Sequence, residues 1–558
     1  MDEATLHDLD AELRAIRLDD GPRLQPLRLD KMFLRARQWH AANPRSYASE
    51  SLYRPPTPPK SAPIYPLPKP LLSQSKPQAK GKEREGKEEG VSPLSALFDY
   101  PELIPLVLDS FDQPRDLARI SRVSKEWNRI ARKKLYKHIW VRPWEDGCHF
   151  KLVLLFDTLH KHPELCRMVN RLDVRFFPLA ARGEERSEMD DQVQKAMGEM
   201  DNLESLVWTR DRSINPSLFE RIADLSHLRS LEISGHSYRY YDPTLLGTMP
   251  ALEDLRIMMP DPNLKSKLVD VVRSLAARPI GGLRGLGIIC QSSSLIDDAI
   301  LKTIASDLNK LKRLTLWGCT RVTTDGVFSI LQTAGDEVEE LSLDALTHSG
   351  LMDLSNSPSL PRLRTLSLSI TVPHQDHKEM GHTISFFELP ILPSCPSLES
   401  LHFTLSASQL FLPLGAYQQF HEQIQHPEKI RKLSLINSVI ATDTFEFILE
   451  EYKSLEELYI SVNSKTTIID SQGLIENGQG LEILHVNGPE RWGPNSDDLK
   501  VIAERLKGLQ QVGSGNRVYE VHRTLTEEID GNGNFVEDTQ LSRWSKSWIP
   551  GYFQVWRA

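Results

Sequence analysis

One short pattern, leucine-x-x-leucine-x-leucine with aliphatic or aromatic replacements, recurs twelve times between residues 169 and 486. No other feature restricts the fold so tightly. The copies are VNRLDV at 169, LESLVW at 203, LRSLEI at 228, LEDLRI at 252, LRGLGI at 283 and LKRLTL at 311. They continue as VEELSL at 338, LRTLSL at 363, LESLHF at 398, IRKLSL at 430, LEELYI at 455 and LEILHV at 481. Successive copies lie 24 to 35 residues apart. One unit of this size cannot bury its own apolar face, so the units must stack and share a continuous core.

The pattern is that of a leucine-rich-repeat solenoid, an α/β horseshoe in which each copy supplies a short strand and the chain returns behind it. The returns support this. Val327, Ile330 and Leu331 share one helical face after the copy at 311, as do Phe445, Ile448, Leu449 and Tyr452 after the copy at 430. Two returns, 369 to 397 and 404 to 429, run long, and insertions in solenoids emerge as loops on one face. Domain boundaries follow from composition. They are a Pro-rich and charged N-terminal region at 1–95 expected to be largely disordered, a helical segment at 96–140, and a linking helix at 141–168. The solenoid then spans 169–512, and an aromatic C-terminal cap spans 513–558.

Residues 100 to 131, YPELIPLVLDSFDQPRDLARISRVSKEWNRIA, raise a separate question. The first helix of this stretch is apolar nearly all round, whereas an ordinary amphipathic helix has one apolar stripe. Leu117, Ile120, Val123, Trp127 and Ile130 follow at steps of three and four and can cover one side of it. Fully burying one such side chain is worth roughly 1.5–3 kcal/mol, so the remaining side needs a cover, from the solenoid or from a partner.

These residues resemble an F-box in the form common in fungal proteins. Pro101, Glu102, Leu103, Val107, Leu108, Phe111, Asp116, Leu117, Val123, Trp127, Leu135 and Tyr136 match its features, while Tyr100 and Ser124 depart from it and one residue is missing between Pro101 and Glu102. HFKLVLLFDTLHKHPELCRMVNRLDVRF, from 149, is similar to the segment that joins an F-box to leucine-rich repeats. LKRLTLWGCTRVTTDGVFSIL is similar to the cysteine-containing repeat subtype of F-box/LRR proteins. The resemblance implies a three-helix F-box that docks onto a Skp-type adaptor of a cullin–RING (SCF) ubiquitin ligase. The contact it implies uses Pro101, Leu103, Ile104, Pro105, Leu106, Val107, Leu108, Phe111, Leu117, Val123 and Trp127. Between Arg115 and Arg142 lie ten Lys or Arg residues against Asp116 and Glu126, a local +8 that suits an acidic adaptor.

Twelve strands at ~4.8 Å spacing give a concave wall on the order of 50 Å along its arc, the scale of a protein target. The strand positions that alternate with the buried leucines include Arg171, Arg175, Arg256, Arg313, Trp317, Asp344, His402, Lys432, Glu457, Tyr459 and His485. Arg313, Trp317, Asp344, His402, Lys432, Tyr459 and His485 are the expected target contacts, with Trp317 and Tyr459 as anchors.

Net charge −9 argues against a nucleic-acid partner, and no apolar run reaches the ~20 residues needed to span a bilayer. Five scattered cysteines without a CxxC pair suit reduced thiols in the cytoplasm or nucleus. His374, Asp376, His377 and His382 lack a regular zinc frame. The stretch from Asp530 has Phe535 and Leu541 where a calcium loop needs glycine and glutamate. No catalytic motif appears, so neither an enzyme nor a cofactor is expected. Two other functions fit the same sequence: a non-ligase F-box/LRR scaffold, and a leucine-rich-repeat GTPase regulator.

Overall fold

The computed structural model describes residues 103–109, 111, 114–141, 147–178, 184–278, 281–344, 358–370, 391–405, 410–464, 466–469, 471–488, 494–515, 517–529 and 535–543. The proline-rich and charged N-terminal region, the histidines at 374–382 and the aromatic residues Trp544, Trp548, Tyr552, Phe553 and Trp556 lie outside them.

Each of the twelve motifs forms a strand. These are β2 (Arg171–Val174), β3 (Ser205–Trp208), β4 (Ser230–Ser234), β5 (Asp254–Met258), β6 (Gly285–Asp297) and β7 (Arg313–Arg321). The series goes on with β8 (Glu340–Asp344), β9 (Thr365–Ile370), β10 (Ser400–Leu405), β12 (Lys432–Ile440), β13 (Glu457–Val462) and β14 (Ile483–Asn487). A short extra strand, β11 (Leu410–Leu412), pairs with the far end of β12.

All twelve pair in parallel, and one register holds through the motif positions, shifting only at the far ends of β6–β7 and β12–β13. Leu172, Leu206, Leu231, Leu255, Leu286, Leu314, Leu341, Leu366, Leu401, Leu433, Leu458 and Leu484 stand opposite one another, and none exceeds 2% exposure. This is the physical content of the motif. A one-residue slip of any strand would turn its leucines to the opposite face, so each copy fixes its neighbour's register.

The ladder is longer than the motif count. β1 (His138–Trp140) pairs in parallel with β2, so the sheet begins at 138 rather than at 169. β15 (Gln511–Ser514) adds one parallel strand at the other end. There β16 (Arg517–Ile529) pairs antiparallel with β15, and β17 (Phe535–Arg543) antiparallel with β16, which ends the parallel series.

Several returning segments start with polar caps. In the helix Pro216–Ala223 Asn215 accepts a hydrogen bond from Leu218 N at 2.8 Å, and in the helix Pro262–Ala276 Asp261 accepts from Leu264 N at 2.8 Å. Proline follows each cap, where its missing N–H costs nothing. The expected helical faces pack inward. Val327, Ile330 and Leu331 are buried in the helix Thr324–Ala334, as are Phe445, Ile448 and Leu449 in the helix Thr442–Glu451.

Ahead of the sheet come α1 (Leu103–Asp109), α2 (Pro114–Ile120) and α3 (Lys125–Lys137). Ser124 caps α3 by accepting from Trp127 N. α3 is fastened to α1 by Lys134, whose Nζ donates to Leu108 O at 2.6 Å and Asp109 Oδ1 at 2.9 Å. It runs directly into β1. α4 (Cys148–Lys161) and α5 (Pro163–Cys166) then lead to β2.

Candidate functional site

Two surfaces carry the residues singled out by sequence. On the three-helix segment α1 to α3, only part of the expected contact set is presented outward. Leu103 is 41% exposed, Leu106 66%, Val107 39% and, in the turn before α3, Val123 69%. Pro105 is exposed as well, and Phe111 is half-buried. Ile104, Leu108, Leu117 and Trp127 depart from expectation. They are buried inside the chain, where they hold the helices together, and cannot contact a partner as the segment stands. The reason is helical phase. Ile104 and Leu108 are four residues apart on one face of α1, and that face meets α3. Leu103, Leu106 and Val107 fall on the opposite side. Pro101 lies outside the described residues.

The basic residues of the segment are sorted in the same way. Lys134 fastens α1, Arg132 pairs with Glu164 at 3.4 Å, and Arg119 pairs with Asp116 at 3.2 Å. Arg129 and Lys133, one turn apart on α3, face outward.

The second surface is the sheet face turned away from the leucine ladder. Register places Asp173, Val207, Glu232, Arg256, Gly287, Thr315, Ser342, Ser367, His402, Ser434, Tyr459 and His485 in a single row across it. Among β2 to β7 this face is charged and partly open. Glu232, only 8% exposed, accepts from Arg175 Nη1 and Arg256 Nη1, both at 3.1 Å. Arg313 reaches across β6 to Asp254, with Nε at 3.0 Å from Oδ1. That reach depends on Gly285, because a Cβ there would collide with the Asp254 carboxylate. Burial works against the Arg313 charge, yet Asp254 holds its pKa above the ordinary value. Trp317, four residues farther along β7 and opposite Ile289, is half-buried. Asp344 accepts from Gly318 N at 3.2 Å, and burial pushes its pKa up.

Among β12 to β14 the same row is closed. Tyr459 and His485, expected to be exposed, are both 0% exposed, so Tyr459 is not an accessible anchor. Tyr459 packs with Ile436 and Ile483 in an apolar cluster separate from the main core, and its ring stacks on His485 at 6.2 Å between centroids. Tyr459 donates to Glu457 Oε2 at 3.2 Å, and His485 Nε2 lies 3.1 Å from Asn487 Oδ1. Burial drives the His485 pKa down to about 4. His402 is likewise depressed to about 4, by desolvation of its ring and then by Lys432. Lys432 is half-exposed and pairs with Glu457 at 2.7 Å.

Sequence reasoning missed Glu232, Ile436 and Ile483. A signal existed for the last two, since aliphatic residues stand at strand positions that are polar in most copies. For Glu232 nothing local marks a carboxylate shared by two arginines from other repeats. Among the described residues no group of three or more His, Cys, Asp or Glu could hold a metal ion, and no helix is long and apolar enough to cross a membrane.

No protein-family model matches the sequence. Over 96 residues, 17% of this chain, it is 28% identical to prefoldin subunit alpha of Methanococcus maripaludis, covering 67% of that protein. Among solved structures, a chain of the crystal structure of the yeast Rad7 and Elc1 complex aligns with a TM-score of 0.36 and 12% identity. That alignment covers 67% of this chain and 89% of the other.

Proposed function

We propose that this protein is the substrate-recognition subunit of an SCF-type ubiquitin ligase. In this reading α1 to α3 form an F-box that binds a Skp-type adaptor, and the repeat sheet binds a target protein. The observation that carries it is the outward set Leu103, Leu106, Val107 and Val123, four large aliphatic side chains left exposed while Ile104, Leu108, Leu117 and Trp127 pack inside. Covering them would contribute on the order of several kcal/mol, enough to drive a helix-in-groove contact. The target would meet the sheet face at β2 to β8, around Arg175, Arg256, Arg313, Trp317 and Asp344, because the row at β12 to β14 is buried. The chain would supply proximity and orientation, with ubiquitin chemistry on its partners.

The test is a pull-down comparing wild type with a Leu106→Asp, Val107→Asp double variant. Both residues are exposed, so the fold should survive, unlike a change at Ile104 or Leu108. The expected result is loss of adaptor and cullin with target retained. Equal adaptor recovery from both proteins would refute the assigned face.

A further inference from the structure

Beside the exposed face of α1 lies an open cleft of about 690 Å³, formed where α3 meets the chain just before β2, β3 and β4. Its apolar lining includes Pro105, Ile130 and Met168, and its cations are Arg129, Lys133 and Arg167. Arg167 is largely neutralised, with Glu199 at 3.3 Å and Asp201 at 3.9 Å. The acid in the lining is Glu204, whose Oε1 accepts from Asn170 at 3.4 Å. His227, also in the lining, is held to Asp201 O through Nδ1 at 2.7 Å.

Arg129 and Lys133 differ from their neighbours on α3. Lys134 and Arg132 are engaged in fastening α3 to α1 and to α5, whereas these two are exposed and line the cleft, one helical turn apart. Two exposed cations beside the apolar side chains of Pro105, Ile130 and Met168 match an extended segment in which carboxylates alternate with aliphatic residues. Pro105 lines the cleft and is also exposed beside Leu106 and Val107, so a chain covering α1 can continue into the cleft without a gap.

We propose that the cleft receives an acidic, extended segment of the adaptor that docks on α1, so that the adaptor grips the first repeats as well as the three helices. This inference rests on the adaptor-binding reading above. Its consequence is that adaptor and repeat sheet are held in one fixed orientation, which a contact confined to α1 would not impose.

The experiment titrates purified Skp-type adaptor against the full chain at 50 and 200 mM salt. It compares wild type, an Arg129→Ala, Lys133→Ala variant, and an Arg115→Ala, Arg122→Ala variant that removes two exposed cations outside the cleft, with thermal melts confirming the fold of each. The cleft variant should bind about tenfold more weakly at low salt and lose most of the wild type's salt dependence, and the control pair should change affinity less than about twofold. Equal weakening by the two variants would reduce the effect to general charge attraction and overturn the cleft. Adaptor binding unchanged in the cleft variant would overturn this inference and leave the α1 reading standing. No adaptor binding by wild type would remove both.

Discussion

The sheet face at β2 to β7 and the same face at β12 to β14 are built from one repeat, in one register, on one leucine ladder, yet they behave as different surfaces. Arg256 and Tyr459 occupy the same register position. The first has an exposed guanidinium balanced by Glu232, and the second is fully buried in a small apolar cluster with Ile436 and Ile483. The repeat dictates which side chains enter the main core. It leaves the opposite face free to be either a charged floor or a second core.

That contrast is breakable, and the largest expected effect is at Tyr459. Tyr459→Ala should cost roughly 3–5 kcal/mol, as for other large buried side chains, while Arg256→Ala at the equivalent position should cost under about 1 kcal/mol. Denaturant titration of both variants checks this, and similar losses would mean the two halves are not distinct.

Next, residue for residue, is a pH effect from the buried histidines of the closed half and its border. The folded pKa values of His402 and His485 lie at about 4, below the unfolded value near 6.5. The unfolded chain therefore binds protons first as pH falls. Stability is complete above about pH 6.5 and declines toward pH 4, by on the order of 3 kcal/mol for each histidine. Urea midpoints from pH 7 to pH 4.5 should show this slope, and His485→Gln should flatten it. An unchanged slope would place the proton uptake elsewhere.

The smallest effect belongs to the open half. Glu232→Gln should cost about 1–2 kcal/mol, because Arg175 and Arg256 are partly exposed and water can take over their hydrogen bonds. Its diagnostic reading is selectivity. Target binding should change while the pH slope assigned to the histidines stays as in wild type. A changed slope with intact target binding would reverse the assignment of the two halves.

A weaker regularity runs along the sheet's edge, where the residues just before each strand form a main-chain ladder. Arg284 N bonds Glu253 O, Lys312 N bonds Arg284 O, and Glu339 N bonds Lys312 O, with spacings of 2.7 Å throughout. Several of the side chains also pair, as Lys312 does with Glu339 at 2.6 Å. Such exposed pairs contribute little individually, and the main-chain ladder explains why this edge recurs so regularly.

The repeating strands, their register, and the helical faces of Val327 and Phe445 were legible in the sequence because burial there is set by local period. An aliphatic residue every second position can satisfy only one face of a strand. The surplus on α1 was legible too. Its division was not, since phase relative to α3 decides that Ile104 and Leu108 lie inside while Leu106 and Val107 lie outside. The same limit applies to the row that ends in Tyr459 and His485. A side chain's exposure on the second face depends on what strands one and two repeats away place beside it, and that proximity exists only after the ladder has stacked.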